Sequence, residues 1–248
     1  MSGLMILFAA RTGMVEAIHL DNGYLTDIRT AAAGAVAAKW LSRPESRVAG
    51  ILGTGTQARL QLEALALVRD IHEAVIWGRD PKNARQCADD CQQKLGIDVR
   101  TGTIDDVMAA ADIVVTTTPS QIPLIHGAQL RRGQHVTAMG TDAVYKTEIA
   151  PDVIPAASRF ICDSLAQCRR QGELRPAIAA RTVATDGQLA VVGTRISRVS
   201  CTRRQSRPSR SACNCAAVSR TTPSVMPGQQ NLPSSSRLAN KHTPVPSK

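Results

Sequence analysis

The sequence predicts an α/β fold with a doubly wound parallel sheet, and three observations carry this prediction. Apolar runs alternate with helical patterns from Val48 onward, which is typical of repeated β–α units. A glycine-rich turn, Gly53-Thr54-Gly55-Thr56-Gln57-Ala58, joins the first of these runs to the first helical pattern. The apolar fraction of 43% suits a buried core, which must be built from aliphatic residues because only 2% of the chain is aromatic.

The elements are predicted in the following order. A hairpin of two strands, 5–10 and 15–20, precedes an alanine-rich helix over 26–41 that ends before Pro44. The repeating pattern then begins with a strand over Val48–Leu52 and a helix over 56–69. Four more strands and two more helices follow by the same criteria: strands 74–77, 98–101, 113–117 and 135–139, and helices 81–95 and 105–110. A last strand is predicted over Arg159–Cys162.

The net charge of +10 arises entirely from the C-terminal part of the chain. Residues 194–248 hold 10 Lys and Arg and no acidic residue, whereas the preceding residues balance 20 basic against 20 acidic ones. A basic nucleic-acid-binding surface on the folded part is therefore not expected. The C-terminal part is rich in Ser, Pro and Arg without a sustained period, so we predict a disordered tail. RNA binding by this tail and its origin in a reading-frame change both stay open.

Cysteine usage and the N-terminus indicate a cytoplasmic protein. The seven cysteines have no zinc-type spacing, and we interpret them as unpaired thiols. The start of the chain reads as a strand rather than a signal peptide because no basic residues precede its short apolar run. No apolar run approaches the ~20 residues that a membrane span needs. No metal site or membrane partner is expected.

The glycine-rich turn predicts a site for NAD or NADP. Backbone N–H groups and a helix N-terminus, presented together, bind the pyrophosphate of a dinucleotide. Gly53 allows the tight turn, Gly55 lets the backbone approach the phosphates, and Ala58 permits close packing of the helix on the strand. Thr56 and Gln57 complete the expected phosphate cradle. The alternative is a strand–helix turn that needs glycine only for its backbone shape.

Two further segments lie where strands of a Rossmann-type sheet end. Arg79 follows the second strand of the repeat, where NAD sites usually carry an acidic residue and where an arginine suits the 2′-phosphate of NADP. NADP is therefore slightly favoured, while Asp80 keeps NAD open. The run Thr116-Thr117-Thr118 closes the fourth strand and is expected to line the cofactor, because ligands bind outside the carboxyl ends of such strands.

Five sequence blocks, in this order, resemble the ornithine cyclodeaminase/mu-crystallin family, and within it the ectoine-utilisation branch. They are Asp27-Ile28-Arg29-Thr30-Ala31-Ala32, the Gly53–Ala58 turn, Trp77-Gly78-Arg79, Thr116-Thr117-Thr118-Pro119, and Gly140-Thr141-Asp142 with Lys146-Thr147-Glu148. The resemblance covers about residues 3–180. It implies a Rossmann domain and a dimerisation and substrate domain that is built from both chain ends.

The resemblance also implies roles for individual residues. Asp142 matches the catalytic aspartate, which shuttles protons while hydride passes between substrate and nicotinamide. Arg29 is expected to contact the cofactor phosphates and the substrate carboxylate, because a guanidinium suits both anions. Three residues, Met139, Gly140 and Lys146, are expected at the cofactor. Thr147 is expected at the substrate.

The chain also departs from the family pattern at both ends. Family members carry a further segment before the start of this sequence, and the tail stands where the rest of the second domain is expected. The predicted divisions are therefore a remnant of the substrate and dimerisation domain at 1–45, a Rossmann domain at 46–180, and an atypical tail at 181–248. The family's homodimer is doubtful for this chain, and impaired turnover is expected.

The function expected from these observations is an NAD(P)-dependent lyase of amino-acid metabolism. Its substrate would be a small amino acid, ornithine or an ectoine-derived diamino acid, which is oxidatively deaminated and cyclised. Two alternatives stay open: a ketimine or imine reductase on the same scaffold, and a fragment that binds the cofactor without catalysis.

Overall fold

The N-terminal part of the protein consists of a hairpin and a long helix. The computed structural model describes residues 3–183 and the backbone of two further strands, at 189–191 and 216–219. Strands β1 (Met5–Phe8) and β2 (Val15–His19) pair antiparallel in a sheet of their own. Helix α1 (Tyr24–Leu41) begins after Gly23, whose φ of 89° reverses the chain direction. It therefore starts two residues before the predicted position.

The remaining strands form one eight-stranded sheet. In chain order its strands and helices are β3 (Val48–Leu52), α2 (Thr56–Ala66), β4 (Glu73–Trp77), α3 (Pro81–Leu95), β5 (Asp98–Thr101), α4 (Ile104–Ala110), β6 (Ile113–Thr116), β7 (His135–Ala138), α5 (Val153–Ala156), β8 (Arg159–Cys162), α6 (Leu165–Cys168), α7 (Leu174–Ala179), β9 (Leu189–Val191) and β10 (Ala216–Ser219). The order across the sheet is β5-β4-β3-β6-β7-β10-β8-β9. This confirms the Rossmann-type α/β fold.

Strand β10 departs from the prediction of an entirely parallel sheet. It pairs antiparallel with both β7 and β8, whereas the other described pairs of this sheet are parallel. Its four residues lie in the segment predicted to lack regular structure, and for them that prediction is wrong. The reason is a contact between residues far apart in sequence. The segment Ala216–Ser219, which has no charge and no proline, forms backbone hydrogen bonds with β7 on one side and with β8 on the other. The rest of residues 194–248, with Cys201, Cys213 and Cys215, lies outside the described residues.

The strand order places the site. The chain runs outward from β3 through β4 to β5 and then returns to β6 on the other side of β3. The carboxyl ends of β3 and β6 therefore border a crevice where connections leave in opposite directions, which is the usual ligand position in such sheets.

Most predicted boundaries are correct within one to three residues. Helix α2 ends at Ala66 rather than at 69, because the amides of Val68 and Arg69 both bond back to the carbonyl of Leu65. Helix α3 has a complete set of end signals: Asp80 caps it, Pro81 follows, and Gly96 ends it in the left-handed region. The short elements α5, α6 and α7 were not predicted.

Apolar layers cover both faces of the sheet. Within residues 3–183, one layer contains Phe160 and Met108, and the other contains Leu62, Leu65 and the buried thiols of α3. Within residues 3–183 no disulfide joins the four cysteines, Cys87, Cys91, Cys162 and Cys168, and all four are buried. In this part of the chain no helix is both long enough and apolar enough to cross a membrane.

Helix α1 packs directly on α2. Ala31 and Ala35 of α1 contact Ala64 of α2. The helices approach so closely that a Cβ at Gly34 would lie 2.0 Å from the Oε1 atom of Gln61. The Arg69 guanidinium donates to the carbonyls of Ala38, Lys39, Ser42 and Arg43 at the end of α1. The division of the chain at 45/46 stays a prediction.

The hairpin exposes an apolar surface. Its large apolar side chains are mostly open to solvent, namely Leu4, Ile6, Leu7, Phe8, Met14, Val15, Ile18 and Leu20. A patch of this kind on a protein surface marks an interaction site or an aggregation hazard.

Candidate functional site

The two glycines of the turn serve different purposes. Gly53 has a φ of 130°, and a Cβ there would lie 2.3 Å from the Thr117 hydroxyl oxygen. This position therefore requires glycine for backbone shape and for contact with the end of β6. A Cβ at Gly55 would meet nothing within 4 Å. The backbone of the turn is thus open to a ligand at Gly55, as the phosphate-binding prediction requires.

Side chains from α2 hold this turn in place. Arg59 donates to the Thr54 carbonyl at 2.6 Å and to the Asp90 carboxylate of α3 at 2.6 and 2.9 Å. Ala58 is fully buried, which agrees with its expected packing role. The Gln57 side chain donates to the carbonyl and carboxylate oxygens of Asp27 on α1. It therefore ties the two helices together, and contact with phosphate by its backbone N–H stays a prediction.

A cavity of about 490 Å³ opens over the turn. It lies between the turn, the end of β4 and the loop after β6, and is lined by Gly53, Thr54, Gly55, Trp77, Gly78, Arg79, Thr117, Thr118, Pro119, Ser120, Gln121, Ile122 and Leu124. Its size falls in the range of small-molecule and cofactor sites. Five predicted cofactor residues share this cavity, which supports the grouping of β3, β4 and β6 ends that the sequence predicts.

Arg79 and Asp80 differ in how they are engaged. The Arg79 side chain borders the cavity, and within residues 3–183 no hydrogen bond or ion pair engages it. The Asp80 carboxylate accepts from the backbone N–H of Lys82 at 2.9 Å and caps α3. The cation is therefore open to an anionic ligand while the neighbouring carboxylate has a structural partner.

The loop after β7 carries Asp142, the candidate catalytic residue, and Lys146, a candidate cofactor contact. Lys146 donates to the Asp142 carboxylate at 2.5 Å. The Asp142 side chain is 52% exposed and that of Lys146 only 17%. The backbone N–H of Thr147 bonds the Ser120 carbonyl, which fastens this loop to the cavity loop after β6. The structure thus brings the predicted β6 and β7 residues next to each other.

A buried carboxylate joins the ends of β6 and β7. Glu148 has no exposed surface and accepts four hydrogen bonds, from the hydroxyls of Thr116 and Thr118 and from the backbone N–H groups of Thr118 and Gly140. These bonds measure 2.6 to 2.7 Å. Burial raises the pKa of Glu148 to about 7, although the hydrogen bonds act in the opposite direction.

A second buried carboxylate supports the first. Glu173 precedes α7 and accepts from the backbone N–H of Glu148 at 2.7 Å. The hydroxyls of Thr141 and Thr147 also donate to it. Burial raises the pKa of Glu173 as well. Within residues 3–183 neither carboxylate accepts a bond from a lysine or arginine.

The predicted site residues thus fall into three groups. At the cavity lie Gly53, Gly55, Arg79, Thr117 and Thr118; on the adjoining loop lie Met139, Gly140, Asp142, Lys146 and Thr147. Outside the cavity lie Arg29, Thr56 and Gln57, the first on α1 and the others at the start of α2.

Two side chains have partners that the sequence did not predict. Thr116 does not line the cavity, because its hydroxyl bonds Glu148. The Thr147 hydroxyl bonds Glu173, so its substrate role stays a prediction.

Three functional candidates were missed from the sequence: Arg59, Glu148 and Glu173. Glu148 stood in a family block without a role, and Arg59 follows the glycine-rich turn directly. Glu173 lies 25 residues beyond Glu148 and carries no local signal. One sequence signal could have indicated that Glu148 is buried: it directly precedes the apolar pair Ile149-Ala150.

The chemistry of the donors fits a dinucleotide. The open backbone at Gly55, the N-terminus of α2 and the available Arg79 guanidinium all suit phosphate groups. Across the described residues no three His, Cys, Asp or Glu side chains gather as metal ligands.

Comparisons with known proteins agree with this geometry. A relative from Rhizobium meliloti that is named as a dehydrogenase is 53% identical over 195 residues, which are 77% of this chain and 58% of that protein. A relative from Sinorhizobium fredii, named as an uncharacterised cyclodeaminase, is 49% identical over 77% of this chain and 58% of its own length. The chain thus spans 58% of the length of both relatives.

The fold is also similar to a solved structure with a bound cofactor. The Thermococcus litoralis Delta(1)-pyrroline-2-carboxylate reductase, in complex with NADH and L-proline, matches with a TM-score of 0.71 and 28% identity. The match covers 82% of this chain and 63% of the reductase. The profile of the ornithine cyclodeaminase/mu-crystallin family matches residues 1–203. The chain therefore belongs to the ornithine cyclodeaminase/mu-crystallin family.

Proposed function

We propose that this chain binds a nicotinamide dinucleotide across the carboxyl ends of β3, β4 and β6. The observation that carries the proposal is the open backbone at Gly55, which faces a cavity at the switch point of the sheet. The turn at Gly53–Gly55 and the N-terminus of α2 would hold the pyrophosphate. The NADH complex of the similar reductase supports this assignment.

The preferred cofactor in this proposal is NADP. Arg79 borders the cavity and is available for a 2′-phosphate, while Asp80 is engaged as a helix cap. An arginine at this place accommodates the 2′-phosphate, whereas NAD sites use an acidic side chain for the ribose hydroxyls.

The proposed reaction is hydride and proton transfer at the α-carbon of a small amino acid or its imine. Bound nicotinamide would supply or accept the hydride. Asp142 would exchange the proton with the reacting nitrogen or with water, because its carboxylate is half exposed at the carboxyl end of β7. Lys146 holds Asp142 in place through their ion pair. Arg29 and Thr147 are the proposed substrate contacts.

Two directions of this chemistry are proposed as alternatives. Oxidative deamination and cyclisation of ornithine or an ectoine-derived diamino acid is supported by the sequence blocks and by the relative named as a cyclodeaminase. Reduction of a cyclic imine is favoured by Arg79, since NADPH usually serves reduction, and by the reductase named above. A chain that binds the cofactor without turnover is the non-catalytic alternative.

The proposed location is the cytoplasm, and the proposed assembly is the family's homodimer, which the sequence alone leaves in doubt for this chain. The exposed apolar hairpin supports an interface, because a patch of this kind is costly to leave in water.

The test is a fluorescence titration of the purified chain with NADH and NADPH. We expect saturable binding of both, with NADPH bound at least about tenfold more tightly. The variant R79M should lose that preference, while R85M, a matched change on the exposed side of α3, should keep it. Absence of binding by a folded sample contradicts the proposal. An equal affinity of the unaltered chain for both cofactors contradicts the NADP assignment alone.

A further inference from the structure

Glu148 bridges the ends of β6 and β7 through hydrogen bonds to both. The last backbone bond between these ends runs from Met139 N to the Thr116 carbonyl. Beyond it, Glu148 Oε1 accepts the N–H and hydroxyl of Thr118, and Oε2 accepts the N–H of Gly140 and the hydroxyl of Thr116. One side chain thus spans the gap between the two strand ends.

The arrangement requires an acceptor at both oxygens. Each oxygen of Glu148 receives one backbone N–H, which can only donate. A glutamine of the same shape would place an NH₂ group against one of these N–H groups. The site therefore distinguishes a carboxyl group from an amide, although the two have the same volume.

The backbones of the two strand ends also approach each other closely at Gly140. A Cβ at Gly140 would lie 2.2 Å from the Thr118 carbonyl oxygen and 2.7 Å from Glu148 Oε1. Glu173 fixes the far end of the loop by holding the hydroxyl of Thr147 and the N–H of Glu148. The loop of residues 140–148 is therefore fastened at both ends and carries Asp142 between them.

A dinucleotide bound at Gly53–Gly55 must extend in both directions from the switch point. Arg79 lies on the side of β4, so the adenosine half belongs there. The nicotinamide half then lies towards Thr118 and Gly140. These are the residues whose backbone N–H groups Glu148 holds.

We infer that Glu148 is a positioning residue for the nicotinamide half of the cofactor, acting by fixing Thr118 against Gly140. The inference rests on the proposed cofactor site. It separates the roles of two carboxylates: Asp142 faces solvent and would meet substrate, whereas Glu148 is buried and acts through its neighbours.

The experiment compares probes with and without nicotinamide in the full chain. NADPH is titrated beside 2′-phospho-ADP-ribose, and NADH beside ADP-ribose, with calorimetry for affinity and nicotinamide emission for the environment of the ring. In E148Q we expect the affinity for ADP-ribose and its phosphate to stay within about twofold, while the affinity for NADH and NADPH falls about tenfold. The emission of bound nicotinamide should move towards that of the free cofactor.

Two further variants control this result. E73Q makes the same chemical change on a side chain that pairs with Arg100 at the amino end of β4, and should behave as the unaltered chain. T116V removes the hydroxyl that donates to Glu148 Oε2, and Thr116 itself does not line the cavity. We expect this variant to lower the affinity for NADH and NADPH by about threefold. T116V decides the question if E148Q does not fold.

The outcomes separate the inference from the proposed function. If the unaltered chain binds none of the four probes, the cofactor site itself is wrong, and the inference fails with it. If that chain binds them and E148Q or T116V weakens all four equally, Glu148 has a general structural role and the inference alone is overturned. Unchanged nicotinamide affinity and emission in a folded E148Q also overturn it.

Discussion

The two halves of the candidate site are built in opposite ways. At the ends of β3 and β4 the site consists of open backbone and an available cation, with Gly55 uncovered and Arg79 at the cavity border. At the ends of β6 and β7 it consists of two buried carboxylates, Glu148 and Glu173, whose acceptor oxygens hold the backbone in place. The first half therefore depends on exposed backbone and an available cation, whereas the second depends on its buried acceptor oxygens.

The two halves differ in which term opposes their folding. A glycine turn loses conformational entropy on folding but buries no charge. A buried carboxylate costs desolvation, which hydrogen bonds offset only in part. We expect glycine substitutions in the first half to act through sterics at every pH, and substitution of Glu148 in the second half to change the pH dependence of stability as well.

The largest effect is expected from adding one methyl group to the turn. G53A forces an L-residue to a φ of 130° and against Thr117, so it should destabilise the fold by more than about 3 kcal/mol. G55A is the matched control, since its methyl meets nothing within 4 Å. It should change the free energy of unfolding by less than about 1 kcal/mol but weaken NADPH binding at least about tenfold.

Urea unfolding and calorimetric titration of both variants measure these effects. A stable G53A would contradict the steric account of the turn. A G55A that binds NADPH normally would show that the phosphates do not lie at this backbone.

The second effect is a pH dependence of stability that depends on Glu148. Its pKa is raised from 4.5 to about 7 by burial, so between these values the folded chain holds a proton that the unfolded chain has lost. Stability from this group is therefore present below pH 4.5 and declines as pH rises towards 7, by about 3 kcal/mol in all. E148Q cannot titrate and should lack this decline.

The unaltered protein must be compared with E148Q because His135 also contributes to the pH dependence of stability. Burial lowers its pKa from 6.5 to about 4, so its effect on stability has the opposite sign and rises with pH in that range. Subtracting the unfolding free energy of E148Q from that of the unaltered chain at each pH removes the His135 contribution. A difference that is flat from pH 4.5 to 8 would mean that Glu148 keeps an ordinary pKa.

The smallest effect tests whether Arg59 belongs to the cofactor half. R59M removes the bonds to the Thr54 carbonyl and Asp90, and should weaken ADP-ribose and NADPH about equally, by about fivefold. K94M breaks the Lys94–Glu63 pair, which joins the same two helices without touching the turn. It should leave both affinities within about twofold, as expected for an exposed pair. Equal effects of the two substitutions in calorimetry would assign Arg59 to helix packing only.

Much of the fold could be predicted because its signals are local. The β–α alternation, the glycine turn and the end signals of α3 each lie within a few residues of the structure that they specify. The antiparallel insertion of β10 could not be predicted, because β7 and β8 lie about 80 and 55 residues before it and no local pattern encodes the pairing.

The site residues also differ in whether a local sequence signal identifies them. Gly53, Gly55 and Arg79 could be predicted as site residues because their expected functions follow from backbone shape or from position at a strand end. Glu148 and Glu173 were missed because their role exists only when four segments meet in three dimensions. Sequence patterns place an acidic residue by default on the surface, and only tertiary contacts reveal one that is buried.

The Arg69 guanidinium has a consequence for hydrogen exchange. Arg69 binds the last carbonyls of α1 from just beyond the end of α2, so we expect the two helices to open together. We expect the interior amides of α1 to exchange through the same global opening as those of α2, whereas the amides of the exposed hairpin should exchange through a local opening of lower free energy. The N-terminal residues would then belong to two cooperative units, divided near Gly23 rather than near residue 45.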